Sequence, residues 1–242
     1  MKTRTYFILL LLGICALASC SPRIVSNISK QFPAMGPSEN VSVLLSSDEL
    51  PENSIMLGRV KVSSRFLTTG EKGTLDNVLD KAVKRAREIG GNAIVLVGHK
   101  SPSPSNNGKH SIEVEVYRTE APIKEVGPAT DHPEYASIWI YRYRWFPDLV
   151  YNVFLGDKRI FTTYGGAKTE VRIYEPGAYK IWARGEKESS VTLNVERGKD
   201  YYIEASIGPG IFFPNPRLFP VSDVAGKVAV SEILNVVTVD NK

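Results

Sequence analysis

Two histidines at the ends of one polar loop are the residues whose type and spacing come nearest to a metal site. His99 precedes and His110 ends the segment over residues 100–110, where prolines, serines and asparagines predict a surface loop. If the strands on either side pair, the two imidazoles approach each other, and Glu113 or Glu115 would lie nearby as a third ligand. Histidines at loop edges are more often solvated surface residues, and three ligands of fixed geometry are not evident. We therefore predict no metal and no cofactor.

The sequence also lacks the arrangements that covalent or acid–base catalysis requires. The Gly-x-Ser-x-Gly turn that presents a nucleophilic serine does not occur. Asp48 and Glu49 lie between predicted strands. Glu113 and Glu115 share one face of a single strand, whereas glycoside hydrolysis needs two carboxyl groups that face each other across a substrate. We predict that the protein is not an enzyme and has no catalytic residue.

An aromatic series offers the strongest candidate for a binding surface. Trp139, Tyr141 and Tyr143 alternate along a predicted strand and so point to one side, and Trp145 follows just beyond. Such a platform could stack on sugars or seat a protein partner. We favour packing of this face in a core, because the opposite face of the strand is apolar too. The four aromatic residues are retained as the candidate binding platform.

The first nineteen residues have the layout of a secretory signal. Lys2 and Arg4 supply a positive start, and an apolar run over residues 6–16 follows. The run is too short for a bilayer, which needs roughly 20 apolar residues. The signal then ends in Leu17-Ala18-Ser19-Cys20, which resembles the lipobox of bacterial lipoproteins.

The lipobox resemblance implies that residues 1–19 are removed and that the Cys20 sulfur carries a diacylglyceryl group. Acyl chains such as palmitate would then hold the protein on a membrane. Ordinary cleavage after Ala18, which would leave a soluble protein, is the alternative. Ser21 follows the cysteine where an aspartate would retain a lipoprotein at the inner membrane. We therefore expect attachment to the outer membrane, facing the periplasm, with surface exposure left open.

Charge and cysteine content restrict the partners of the mature chain. The sequence has 30 Lys and Arg against 26 Asp and Glu, a formal charge of +4. Loss of Lys2 and Arg4 with the signal leaves +2, so we expect no nucleic acid as a partner. Cys20 would be the sole remaining cysteine, as a thioether, which excludes a disulfide framework and thiol catalysis. The expected partners are the membrane, through the lipid, and an envelope protein or a glycan, while the oligomeric state stays unassigned.

Elements that would position these residues fall into two predicted domains. Residues 20–40 read as a lipidated N-terminus and flexible tether, which would span roughly 25 Å. A small α+β domain over 41–119 has the order β-β-α-β-β. Its helix begins at Leu75, carries an apolar stripe at spacings of three and four, and ends at Gly90. A linker over 120–134 follows.

The helix end has the sequence Arg87-Glu88-Ile89-Gly90-Gly91-Asn92-Ala93-Ile94-Val95 and is preceded by a predicted strand with Leu57-Gly58. These residues resemble the YbjQ-like family, described as heavy-metal binding. They resemble more distantly the outer-membrane stress-sensor lipoproteins of the Rcs phosphorelay. The resemblance covers about residues 50–118 and implies a small α+β domain. The sensors rely on disulfides, which this chain cannot form, and the metal-binding label lacks a ligand cluster here.

The second domain, over 135–237, is predicted to be an all-β sandwich of the prealbumin or immunoglobulin type. Short β-prone runs recur between turn signals, among them Gly156-Asp157 in a hairpin, and a short C-terminal helix follows. Glu175-Pro176-Gly177-Ala178-Tyr179 and Gly198-Lys199-Asp200-Tyr201-Tyr202 resemble PEGA-like envelope domains. With Ile138-Trp139-Ile140-Tyr141 and Gly226-Lys227, the chain is more similar to a prealbumin-like lipoprotein domain family of unknown function.

These observations together predict a non-enzymatic lipoprotein of the cell envelope. We expect it to act in the periplasm as a binding or scaffolding module for an envelope protein or a glycan. The alternative is an envelope-stress sensor or regulatory lipoprotein whose α+β domain contacts a signalling partner.

Overall fold

The chain, described here from a computed structural model, is α+β and dominated by strands. The structure describes residues 23–45, 50–64, 73–123, 132–144, 149–208, 210–211 and 215–241. The predicted signal peptide, Cys20 and Trp145 lie outside these ranges. None of the described helices is long and apolar enough to cross a membrane.

The described elements form three sheets and two α-helices. The strands before position 120 are β1 (Arg23–Ile28), β2 (Ser42–Leu45), β3 (Ile55–Ser63), β4 (Ala93–Lys100) and β5 (Ser111–Arg118), and the helix among them is α1 (Leu75–Glu88). The later strands are β6 (Ala136–Arg142), β7 (Tyr151–Leu155), β8 (Lys158–Thr163), β9 (Ala167–Ile173), β10 (Gly177–Arg184), β11 (Glu188–Val195), β12 (Asp200–Gly208), β13 (Asn215–Val221) and β14 (Asn235–Asn241). The second helix, α2 (Asp223–Glu232), lies between β13 and β14.

The N-terminal unit, β1 to β5 with α1, is a five-stranded sheet covered by one helix. Its strand order is β1-β3-β5-β4-β2. The predicted helix is confirmed, because its apolar stripe is buried against alternate residues of β3 and β5. Gly90 adopts a φ of 80° and turns the chain out of the helix. Gly91 keeps this turn close to β5, since a Cβ there would lie 2.3 Å from Val116.

The expected flexible tether over 20–40 is wrong for the residues that the structure describes. β1 pairs antiparallel with β3, with Arg23 opposite Ser63 and Ile28 opposite Gly58. Beyond the strand, the amide of Phe32 donates to the carbonyl of Ile89 at 3.1 Å. The segment is ordered mainly by backbone hydrogen bonds, which leave little side-chain periodicity in the sequence.

The sandwich, β6 to β14, consists of a four-stranded sheet facing a five-stranded one. The strand orders are β11-β10-β7-β8 and β13-β12-β6-β9-β14. Ile138, Ile140, Val153 and Ile181 are completely buried between the two sheets. The predicted hairpin is confirmed, because β7 and β8 pair antiparallel across Gly156, whose φ is 55°.

Helix α2 joins the N-terminal unit to the sandwich. Ala225 and Val228 are buried in the core that also contains α1 and the first sheet. Ala229 and Ile233 pack instead against tyrosines on the outer face of β6 and β12. We call this contact region the junction; it places side chains from distant parts of the sequence side by side.

Candidate functional site

A chain of three side chains crosses the junction. His99, near the end of β4, shares a hydrogen bond of 2.9 Å between its Nε2 and the Nδ1 of His110, just before β5. Its Nδ1 lies 2.7 Å from Oε1 of Glu232, at the end of α2. The His99 side chain is only 3% exposed and His110 is completely buried. We call Glu232, His99 and His110 the Glu–His–His chain.

The hydrogen-bond polarity of this chain follows from the chemistry of its ends. An ionised Glu232 can only accept, so the proton on that side belongs to Nδ1 of His99. In neutral His99 the Nε2 then accepts a hydrogen bond from Nδ1–H of His110. Burial, with a smaller contribution from His99, holds the pKa of His110 well below 6.5. His110 is therefore neutral, and its Nε2 has no hydrogen-bond partner within the described part of the chain.

Aromatic rings extend the chain into the sandwich. The rings of His110 and Tyr143 meet edge to face, with centroids 5.0 Å apart, and those of Tyr143 and Tyr141 are related in the same way at 5.5 Å. Burial raises the pKa of both tyrosines well above 10, so both hydroxyls stay protonated. Neither hydroxyl oxygen has a hydrogen-bond partner in the structure.

A buried carboxyl lies beside these tyrosines. Glu204 of β12 is opposite Tyr141 in the parallel pairing of β12 with β6, and only 8% of it is exposed. Burial raises the pKa of Glu204 to about 8, and the negative charge of Asp76 adds to the effect. Its Oε2 has no hydrogen-bond partner among the residues that the structure describes. Glu204 is therefore mostly protonated at neutral pH, and it can donate a hydrogen bond within the junction.

A second polar link joins the two helices at the junction. The backbone amide of Ser222 donates to Oδ2 of Asp76 at 2.8 Å, and its hydroxyl donates to Oδ1 of the same carboxylate. Asp76 lies in the first turn of α1, and Ser222 is the N-cap of α2. The carboxylate thus stands at the start of both helices, where negative charge is stabilised. This link fixes α1 relative to α2.

The structure corrects the sequence-based view of the histidines. They are buried in the junction rather than solvated at loop edges, and they do approach each other. Glu115 does not join them, because it binds Arg59 and Tyr117 on the far side of the sheet. The carboxylate that does join them, Glu232, binds the other nitrogen of His99 and does not converge with His110. Among the described residues no three His, Cys, Asp or Glu side chains could hold a metal ion.

The candidate aromatic platform is not an exposed surface at its centre. Tyr141 is completely buried and Tyr143 is 6% exposed, both beneath α2. Trp139 is half-buried, with the Lys168 ammonium 5.9 Å from its ring centroid. Trp145 lies outside the described residues. Both faces of β6 are covered, one by the opposite sheet and the other by the junction, which agrees with the core alternative.

Sequence reasoning missed the acidic members of the junction. Glu204 stands between Ile203 and Ala205 in a strand that is largely apolar and aromatic, and this position was a signal that could have revealed a buried carboxyl. Asp76 lies in the first turn of α1, where acidic residues are ordinary, and Glu232 is the last residue of α2. A groove of about 450 Å³ opens beside His99, and its other lining residues are Leu45, Leu96, Val97, Gly98, Lys227, Val228 and Ser231.

Comparisons with known proteins leave the family open. No protein-family model matches the chain, and no curated protein matches it. Among solved structures, a crystal structure of the Francisella virulence factor FvfA in its orthorhombic form resembles part of the chain, with 16% sequence identity. The likeness covers 41% of this chain and 98% of that chain, with a TM-score of 0.30. A likeness of this size carries no conclusion about fold or function.

Proposed function

We propose that the protein is a lipid-anchored component of the bacterial envelope that acts, without catalysis, as a binding or scaffolding module. Its partner would be an envelope protein or a glycan. The N-terminal unit would correspond to the small YbjQ-like α+β domain and the sandwich to the prealbumin-like domain. Cys20 would attach the protein to the outer membrane, with the body facing the periplasm.

The observation that carries this proposal is the construction of the junction. Helix α2 belongs to the sandwich by sequence, yet Ala225 and Val228 are part of the core of the N-terminal unit. Two polar links add directional contacts to the apolar packing of the junction. One runs through Asp76 and the other through the Glu–His–His chain. A module that presents surfaces from two units to a partner benefits from this fixed arrangement, because less ordering entropy is lost on binding.

The chemistry of the junction also fits a structural role better than a catalytic one. Both nitrogens of His99 are occupied by hydrogen bonds to Glu232 and His110. The hydroxyls of Tyr141 and Tyr143 and Oε2 of Glu204 are buried. A general base needs to reach a proton on a substrate. The histidines instead bind each other and Glu232 between the two units.

A stress sensor or regulatory lipoprotein is the second candidate, and the Glu–His–His chain favours it. Histidine changes its charge near physiological pH, and here a histidine pair links β4 and β5 to α2. Burial holds the pKa of His110 well below 6.5, so a proton forced onto His110 in acid would place positive charge inside the junction. The junction would then loosen as the surroundings acidify, which is the kind of change that a signalling partner can detect.

A crosslinked pull-down from bacterial membranes tests the proposed function. The native protein is compared with Cys20→Ala, signal retained, and with Gly226→Ala, which disturbs α2 at Tyr202. Gly98→Ala is the matched control, because its added Cβ meets only Glu113 at 3.7 Å. If the protein is a scaffold, the native protein and Gly98→Ala capture the same envelope partner or glycan. Cys20→Ala and Gly226→Ala lose it. Equal capture by all four forms would reject the scaffold.

The same preparation separates the two candidates. A sensor predicts that capture of the partner changes severalfold between pH 7 and pH 5 and that Glu232→Gln abolishes this change. A scaffold predicts capture that is constant over this range.

A further inference from the structure

We propose that the β1 edge of the N-terminal unit rests directly on an anionic bilayer surface beside the lipid on Cys20. The inference rests on the proposed function, because it takes Cys20 as the lipidated residue. It replaces the tethered arrangement that the sequence alone suggested, in which the body stands off from the membrane.

Very little chain lies between the anchor and the fold. Only Ser21 and Pro22 separate Cys20 from Arg23, the first residue of β1. A fully extended chain covers at most about 3.6 Å per residue, so the start of β1 lies within roughly 11 Å of the anchored cysteine. The polar headgroup region on each side of a bilayer is about 5 to 8 Å thick. The strand therefore has to begin at or just above the headgroups.

β1 is an edge strand with an apolar, exposed middle. In the described residues it pairs with β3 on one side, and no strand pairs with its other side. Ile24 is 42% exposed and Val25 is 52% exposed. An exposed edge with apolar residues is a site for unwanted pairing between chains. Placement against lipid headgroups would cover this edge.

The charges of β1 and its neighbour β3 suit an anionic surface. β1 and β3 contain Arg23, Arg59 and Lys61 and no acidic residue. Arg59 is paired with Glu115 at 2.6 Å, but Arg23 and Lys61 have no ion pair within the described residues. Val25 and Lys61 are directly opposite each other in the pairing of the two strands. Each basic residue near an anionic membrane surface strengthens attachment about fivefold.

The test measures how close β1 comes to the headgroups. Lipid-anchored protein is reconstituted into vesicles of phosphatidylethanolamine and phosphatidylglycerol with a headgroup spin label. The lipidated chain has no free thiol, so Val25→Cys takes a single fluorophore. Thr192→Cys, exposed on β11 in the sheet that faces away from the N-terminal unit, is the matched control. We expect quenching at position 25 to exceed that at position 192 severalfold, whereas equal quenching would overturn the inference.

A charge reversal tests the chemistry of the surface. Lys61→Glu in the Val25→Cys protein is expected to lower quenching on the anionic vesicles but not on vesicles of phosphatidylcholine alone. Arg184→Glu, an exposed reversal on β10, is expected to change neither. Strong quenching at position 25 that changes neither with lipid charge nor with Lys61→Glu would reject the anionic surface as the partner.

Flotation separates this inference from the proposed function. If the protein fails to float with vesicles and mass spectrometry finds no acyl group on Cys20, the lipoprotein assignment fails and this inference fails with it. If the acylated protein floats but positions 25 and 192 are equally quenched, only this inference fails. A second protein that pairs with β1 would shield position 25 from the spin label when it is added. Such shielding would also overturn the inference, because a protein and not the headgroups would then cover this edge.

Discussion

Replacement of the buried carboxyl by its neutral isostere, Glu204→Gln, should stabilise the protein in a way that depends on pH. The pKa of Glu204 is raised from 4.5 to about 8, so folding takes up a proton between these values. The contribution of Glu204 to stability is thus fully present below pH 4.5 and is lost as the pH rises through 8. Glutamine has a similar shape and does not titrate.

The size of the effect follows from the linkage between protonation and folding. Each pKa unit corresponds to about 1.36 kcal/mol. Relative to its value below pH 4.5, the contribution of Glu204 to the free energy of unfolding is smaller by about 1 kcal/mol at pH 5 and by about 3 kcal/mol at pH 7. The advantage of Glu204→Gln over the unchanged protein should therefore grow by about 2 to 3 kcal/mol from pH 5 to pH 7.

Urea unfolding at pH 5, 6 and 7, followed by tryptophan fluorescence, measures this growth. Glu188→Gln controls for the loss of one carboxylate, because Glu188 is exposed at the start of β11 and has only a surface ion pair with Lys180. A difference between Glu204→Gln and the unchanged protein that stays constant across the three pH values would refute the reasoning. It would mean that Glu204 is ionised in the folded protein, with a charge partner that the described contacts do not include.

Three further changes probe the junction. Gly226→Ala should destabilise the protein by about 1 to 3 kcal/mol in urea unfolding, because the new Cβ would lie 2.0 Å from the Tyr202 ring, whereas Gly98→Ala should be close to neutral. Tyr141→Ala should lower the free energy of unfolding by about 3 to 5 kcal/mol, because the ring is completely buried. Tyr141→Phe should leave it nearly unchanged, because the hydroxyl has no hydrogen-bond partner among the described residues. A well-folded Tyr141→Ala protein would instead favour the binding platform. The free energy of unfolding of His110→Gln should rise relative to that of the unchanged protein as the pH falls from 7 to 5. Burial lowers the pKa of His110, so the unchanged protein loses stability below pH 6.5. Parallel pH profiles of the two proteins would contradict this.

The Glu–His–His chain and Glu204 give the junction opposite responses to pH. His110 disfavours acid, because its buried ring resists a second proton. Glu204 disfavours alkaline conditions, because its buried carboxyl resists ionisation. The two together restrict the best-packed junction to an intermediate range of pH. Simultaneous replacement by Glu204→Gln and His110→Gln should flatten the pH dependence of stability, which urea unfolding can measure.

The sequence by itself determined the elements whose signals are local. The stripe from Leu75 predicted α1, because residues three and four apart share one face of a helix. Gly156-Asp157 predicted the hairpin of β7 and β8, because a left-handed residue closes a tight turn. The motif that ends at Cys20 and resembles a lipobox is local in the same sense, and lipidation there remains a prediction.

Tertiary structure alone decided the rest. β1 is a strand because β3 offers unpaired backbone groups to it, and backbone pairing leaves no side-chain pattern in the sequence. Tyr141 and Tyr143 could have faced solvent, and they are buried because α2 packs across them. His99 meets Glu232, 133 positions away along the chain, because α2 crosses from the sandwich to the N-terminal unit. Contacts of this kind depend on how whole elements pack, and no local spacing of residues encodes them.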